Sequence, residues 1–385
     1  MKPTLLSTLC ALGLAATTAG AAVAAAAAAT PADSGPQAAQ AVNQAKGDTL
    51  RADMPSALAA LKAAPLEQFS AKDAAFRGCM LERHDRSSAP ASVEPAGGLD
   101  DPMVRALLAS YQRYWWRSLR DVAARPAAEK QLRAELAGLL GEAPPAEGED
   151  AFDALNERID AELGKRGLHA QLGRTPPLYD LLLWRGQEQR DYVVDLPGDV
   201  RQPVRVFLMD DWISRGWIHY GNCGTGGAGG WANAEGVFAV RSNYGDLQGE
   251  DYRVSLLGHE SQHYADQLRW PDMPSWQLEY RAKLVELAQA DQTRDVLLGK
   301  FYRSRDDNPD HPHPYSNKRV VADVAVRMGL AADADLRTAD PAAVRRAAAE
   351  VLAEDTRRRE AADAGAAKAP DPAQATASPQ AAPAR

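Results

Sequence analysis

Histidine and cysteine are both scarce in this chain: seven His and three Cys among 385 residues. With so little cysteine, at most one disulfide can form once any leader is removed. Strong charge of one sign is missing as well, with 44 Lys and Arg against 52 Asp and Glu. No basic run interleaved with aromatics appears, so nucleic acid is not an expected partner. Beyond the N-terminal leader no apolar run approaches the ~20 residues needed to cross a bilayer. The H-x-x-G-x-x-H extension that completes some zinc sites is absent too.

The ends of the chain come first. Met1-Lys2, an apolar run over residues 5–16 and then small residues follow the order of a secretory signal peptide, assigned to residues 1–29. Leu9 precedes Cys10 where a lipid-anchor signal wants a small residue, so no lipidation is expected. The mature protein is therefore expected in the periplasm or outside the cell, soluble after cleavage and without a membrane span. In that oxidising setting Cys79 and Cys223 are expected to pair. A Cys79 thiolate masking a metal is the alternative, but nothing marks a pro-segment. Residues 30–50, rich in Ala, Gln, Gly and Pro, read as a disordered linker. Residues 363–385, rich in Ala and Pro, read as a disordered tail.

Between these ends the signals change once. Over residues 51–170 they are helical: Met103, Leu107, Leu108, Tyr111, Tyr114 and Trp115 recur at helical spacing, as do Phe152, Leu155, Ile159 and Leu163. Near Pro176 strand signals take over. Tyr192-Val193-Val194-Asp195-Leu196 and Val204-Arg205-Val206-Phe207-Leu208 flank the turn residues Pro197-Gly198-Asp199. Gly216-Trp217-Ile218-His219-Tyr220 and Gly236-Val237-Phe238-Ala239-Val240 read as two more strands. Residues 224–229 fit G-x-G-x-x-G, but no amphipathic helix follows them, so they read as a glycine loop and not a dinucleotide site. The next segment, Gly230-Trp231-Ala232, reads as a strand that lines a cleft and pairs with an extended peptide, with Trp231 as a substrate-binding candidate. The fold class is α+β, with a helical N-terminal region and a second domain over residues 171–362 in which a small, mostly antiparallel sheet precedes further helices.

The chemistry centres on His259-Glu260-Ser261-Gln262-His263. Positions i and i+4 share one face of a helix, so His259 and His263 can aim at one metal ion, with Glu260 beside it as a base toward water. A catalytic zinc wants a third protein ligand. Asp266 lies too far along the helix axis and suits a supporting role or a solvated charge. After the turn Pro271-Asp272-Met273-Pro274, a second helix carries Glu279 in its first turns, and a returning helix would bring that carboxylate back to the histidines. His84, His169 and His219 have no partner pattern and read as structural.

H-E-x-x-H followed by a glutamate on the next helix resembles the gluzincin group of zinc peptidases, the thermolysin-like arrangement. The run Leu278-Glu279-Tyr280-Arg281-Ala282-Lys283-Leu284, with Gly229-Gly230-Trp231 upstream, is also similar to exported bacterial proteins that carry this motif. The resemblance covers roughly residues 175–330 and implies a zincin-like fold. It implies a Zn2+ cofactor on His259, His263 and Glu279, a peptide or protein substrate, and Glu260 activating a zinc-bound water. It also implies a downstream His or Tyr stabilising the oxyanion, for which His313 and Tyr315, ahead of a helix over residues 317–328, are the candidates. Two features depart from thermolysin: the gap to Glu279 is short, and Lys283 stands where a carboxylate would follow one turn later. Two rival expectations stay open. One is a zinc hydrolase acting on a cell-wall or other non-peptide amide; the other is a non-catalytic envelope protein with a structural zinc.

Overall fold

The computed structural model describes residues 33–366 apart from Glu147. The expected signal peptide, and the part of the expected tail beyond residue 366, lie outside the described residues. The expected linker does not hold, because Pro36–Leu50 is a helix, α1, with proline in its first turn. Its buried Ala38, Ala41, Val42 and Ala45 fall at i, i+3, i+4 and i+7, the spacing of one helix face. Small side chains let it lie close against α2 (Met54–Ala63). Alanine lowered the hydrophobic signal while being the best helix former.

Four more helices complete the N-terminal region: α3 (Ala71–His84), α4 (Pro102–Arg120), α5 (Arg125–Leu139) and α6 (Glu149–Gly164). Asp101 caps α4 by accepting from the backbone N–H groups of Met103 and Val104 at 2.8 and 3.1 Å. The expected aromatic stripe on this helix is core: Tyr111, Tyr114, Trp115 and Trp116 are all buried.

The sheet grows from one long hairpin. Strands β1 (His169–Thr175), β2 (Leu178–Leu196) and β3 (Val200–Arg215) are antiparallel neighbours. Gly198 and Asp199 turn the hairpin with φ of 85° and 58°, the left-handed pair that a tight hairpin needs. The expected strand at Gly216 is instead a short helix, α7 (Gly216–Gly221). Gly216 takes φ 80°, and the buried Asp180 carboxylate accepts from the Trp217 N–H at 2.8 Å, turning the chain out of β3. A short apolar run of this kind has no period long enough to separate helix from strand. After the glycine loop come β4 (Gly230–Asn233) and β5 (Gly236–Val240), in the sheet order β1-β2-β3-β5-β4. Only the β3–β5 pair is parallel, so the α+β class and the mostly antiparallel sheet stand.

The core does not break at residue 170. One end of the hairpin, with Leu178, Leu181, Leu183 and Ile213, packs with the N-terminal helices and Trp217. The other end, with Val194, Leu196, Val204, Val206 and Leu208, packs with the C-terminal helices. The hairpin thus runs through both cores. Cys79 of α3 and Cys223 just after α7 form the expected disulfide, which removes the masking-thiolate alternative.

The buried His84 sits beside this link, with Nε2 3.2 Å from the Gly221 carbonyl oxygen. Burial first, and then the Arg83 charge, depress its pKa to about 3. The unfolded chain protonates this ring below about 6.5, while the fold keeps it neutral down to about 3. Its contribution is therefore complete above pH 6.5 and is lost as pH falls toward 3. Urea unfolding at pH 6.5 and pH 4.5 should show about 2–3 kcal/mol lost through this group. His84→Gln should flatten that part of the pH dependence; an unchanged slope would refute the assignment.

The C-terminal part is a helical stack. Residues 250–269 form one helical run: α8 (Glu250–Tyr252), a π-helical segment (Arg253–Gly258) and α9 (His259–Arg269). Then follow α10 (Ser275–Gln289), α11 (Arg294–Arg303), α12 (Pro312–Arg327) and α13 (Pro341–Ala366). Asp266 is neither solvated nor free. Arg281 Nε of α10 donates to its Oδ2 at 2.8 Å, and Arg281 Nη1 donates to Asp355 Oδ2 of α13 at 2.8 Å. Three helices are thus pinned by one buried guanidinium. No helix among the described residues is long and apolar enough to cross a membrane.

Candidate metal centre

The first residue of α9 is His259, and one turn on is His263. Their rings stand nearly perpendicular, at 88°, with centroids 4.6 Å apart. Both are buried. Trp270 and the 271–274 turn reverse the chain, and α10 returns alongside α9. Glu279 then meets both histidines: Oε2 lies 3.7 Å from His259 Nε2, and Oε1 lies 3.3 Å from His263 Nε2. One ligand atom from each of His259, His263 and Glu279 falls within 4.8 Å of the others. Two imidazoles and a carboxylate are a donor set that suits a borderline cation such as zinc.

The sequence reading missed Glu286. Its Oε1 lies 2.6 Å from His259 Nδ1, so Nδ1 donates to Glu286 and Nε2 is the atom left to face a metal. A carboxylate behind a ligating histidine orients the ring and raises its basicity. The signal was present, because Glu286 lies seven residues after Glu279 and so on the same helix face two turns on. Burial opposes a charge on His259, but Glu286, Glu279 and Glu260 outweigh it and raise its pKa to about 9. A metal taking this site therefore competes with a proton on His259.

Lys283 occupies the intervening turn of α10. Its ammonium is paired with Glu279 Oε2 and lies 3.3 Å from His313 Nδ1. Burial alone would push the Glu279 carboxyl up; Lys283, His263, His313 and His259 together hold it well below the usual carboxylate range. His313 reaches Glu279 Oε2 at 2.8 Å while its side chain stays 67% exposed. It lies inside α12, which starts at Pro312 and not at residue 317; proline is tolerated in a first turn. Tyr315 does not join them. Its ring packs edge-on to Trp276 with centroids 5.2 Å apart, and among the described residues no contact links it to the triad.

Glu260 is half-buried next to His259, and its charge is felt at both His259 and Tyr244. Tyr244 is a second residue the sequence reading passed over. Burial, then Glu260 and Glu286, push its hydroxyl far up, so it remains a neutral donor, 3.4 Å from the Gly229 carbonyl oxygen.

The segment expected to line a cleft is a strand, β4. β4 is an edge strand and runs beside α9. A Cβ on Gly230 would collide with Leu256, one turn before His259, and with the Phe238 carbonyl oxygen, so glycine permits this close approach. Trp231, however, points to the other face. Ala232, Val237 and Ala239 pack with α9 and α10, whereas Trp231 joins Trp184, Phe207 and Phe238. Alternation along a strand forces the split. Trp231 stacks on Phe238 at 5.3 Å. His169 is stacked on Trp184, and His219 Nδ1 lies 2.8 Å from the Gly226 carbonyl oxygen.

No family model matches the chain, and no curated protein or solved structure matches it.

Proposed function

We propose that the protein is a zinc-dependent peptidase of the gluzincin type, with a zincin-like arrangement of sheet and helices. The observation that carries this reading is the convergence of His259, His263 and Glu279 on one point, with Glu286 orienting His259 from behind. When bound, zinc supplies Lewis acidity toward a carbonyl and makes water acidic near neutral pH. Glu260 accepts the proton of the attacking water on its carboxylate and passes it to the leaving amine. The outer edge of β4, beside α9, offers unpaired backbone groups to an extended peptide, which suits a main-chain-reading hydrolase. His313, against Glu279, and Tyr244, which stays a neutral donor, would serve as the candidate oxyanion donors. We keep the periplasm or the extracellular space as its location, in line with the Cys79–Cys223 disulfide.

One contact favours a rival. His313 Nδ1 lies 2.8 Å from Glu279 Oε2; were it to join the three ligands, the site would be closed and structural. The two readings separate in one experiment. The full chain is profiled against a peptide library with zinc, with a chelator and after zinc is restored. Chelator-sensitive cleavage that returns with zinc supports the peptidase; zinc retained without cleavage of any peptide supports the structural site. Within the same set, Glu279→Ala should weaken zinc binding at least about 10-fold, measured by competition with a chromogenic chelator. Unchanged affinity would remove Glu279 from the ligand set.

A further inference from the structure

Far along the chain from the metal centre, the N-terminal helices enclose a cleft of about 560 Å³ between α2, the end of α3 and α4. A space of this size suits a small organic molecule. Its apolar wall is made by Leu58 and Ala59 of α2 and by Trp116 of α4. The indole is fixed, because Trp116 Nε1 donates to the Arg83 carbonyl oxygen at 3.0 Å. Basic groups stand around this wall: Lys62, Arg117 and Arg120.

The charges are not equally committed. Lys62 pairs with Asp85 at 2.8 Å, and Arg117 donates to Gln131. Asp121, the other acid on the cleft, accepts from the Ala123 N–H at 2.9 Å. Arg120 lies over the Trp116 ring at 4.3 Å, and among the described residues no carboxylate forms an ion pair with it. A guanidinium on an aromatic face keeps most of its N–H donors for an anion. His84 also borders the cleft. Its Nε2 is committed to the Gly221 carbonyl, which makes Nδ1 the acceptor, and Nδ1 is buried without a partner in the protein. A buried acceptor of this kind is normally satisfied.

We infer that this cleft is a second binding site, for a small amphipathic anion whose apolar body lies along Leu58, Ala59 and Trp116 and whose acid group meets Arg120. The inference does not depend on the peptidase reading, since none of these groups belongs to the metal centre.

The test uses the full chain and 8-anilinonaphthalene-1-sulfonate, an apolar body with one sulfonate, with its uncharged relative N-phenyl-1-naphthylamine as control. The sulfonate should bind at one saturable site, unaffected by a chelator. Arg120→Met should weaken it about tenfold, the scale of one charge-assisted contact, and leave the uncharged probe unaffected. Ala59→Trp, on an exposed helix position, should fill the cleft and weaken both probes. Melting curves matching the parent protein identify variants that are folded. Binding that does not saturate, that survives both substitutions, or that is equally tight for the uncharged probe would overturn the proposal.

Discussion

Glu260→Gln should lower peptide hydrolysis by at least about 10²-fold, the scale of a positioned general base, while leaving zinc content and thermal stability as they were. Glutamine keeps the shape and a hydrogen-bonding oxygen but cannot hold the proton at neutral pH. The side chain is half-buried and its helix neighbour His259 is anchored independently by Glu286, so the substitution leaves the ligand geometry intact. Turnover numbers, chelator-competition zinc affinity and melting temperature together read the outcome. A variant that retains its zinc and cleaves as fast as the parent rules out Glu260 as the base. If the structural-zinc rival holds, neither protein cleaves anything and this substitution has no effect to report.

Arg281→Met should cost about 3 kcal/mol or more in unfolding free energy, the usual penalty for breaking one side of a buried pair. Arg281 is 3% exposed at its side chain, and Asp266 is 2% exposed. Without the guanidinium, Asp355 still receives Arg359 at 2.7 Å, but Asp266 is left with only the Gln262 amide at 2.9 Å. The penalty is therefore dominated by one stranded carboxylate on the helix that carries His259 and His263. Asp266→Asn in the same chain should recover part of the loss, because the buried charge is then gone. Denaturant midpoints for the two single variants and the double variant measure this coupling. A loss below about 1 kcal/mol would show that the site relaxes around the carboxylate.

How much of this was legible beforehand depended on how local each rule is. The i, i+4 pairing of His259 and His263 is set by helix geometry alone, and Glu279 needed only a turn and a returning helix. Glu286 lay on the same face and went unread because its role depends on how α10 packs against α9, which no spacing states. The packing of Tyr315 on Trp276 and of Trp231 on Phe238 are likewise tertiary facts, since no spacing states which neighbour a ring will meet. In the helical region the error ran the other way. α1 carries a clear 3.6-residue pattern, but it is written in alanine, and an expectation of disorder from composition overrode it. The short segment at Gly216 turned on one side chain, Asp180, thirty-seven residues before its partner Trp217. The disulfide needed only a count, since two cysteines in an oxidised chain have one possible mate.

The π-helical segment Arg253–Gly258, directly ahead of His259, has a consequence for which changes in chain length this protein can absorb. A π turn behaves as an α-helix holding one surplus residue. Deleting a residue there would let the helix close into ordinary i→i+4 bonds without breaking continuity. Positions downstream would keep nearly their phase, because the wide turn had already absorbed the extra residue. Tyr252 and Val254 are buried in the core beneath the sheet, and His259 and His263 would still face Glu279. The wide turn is thus slack in the helix, whereas a one-residue deletion between His259 and His263, where no surplus exists, would turn one histidine by about 100° relative to the other.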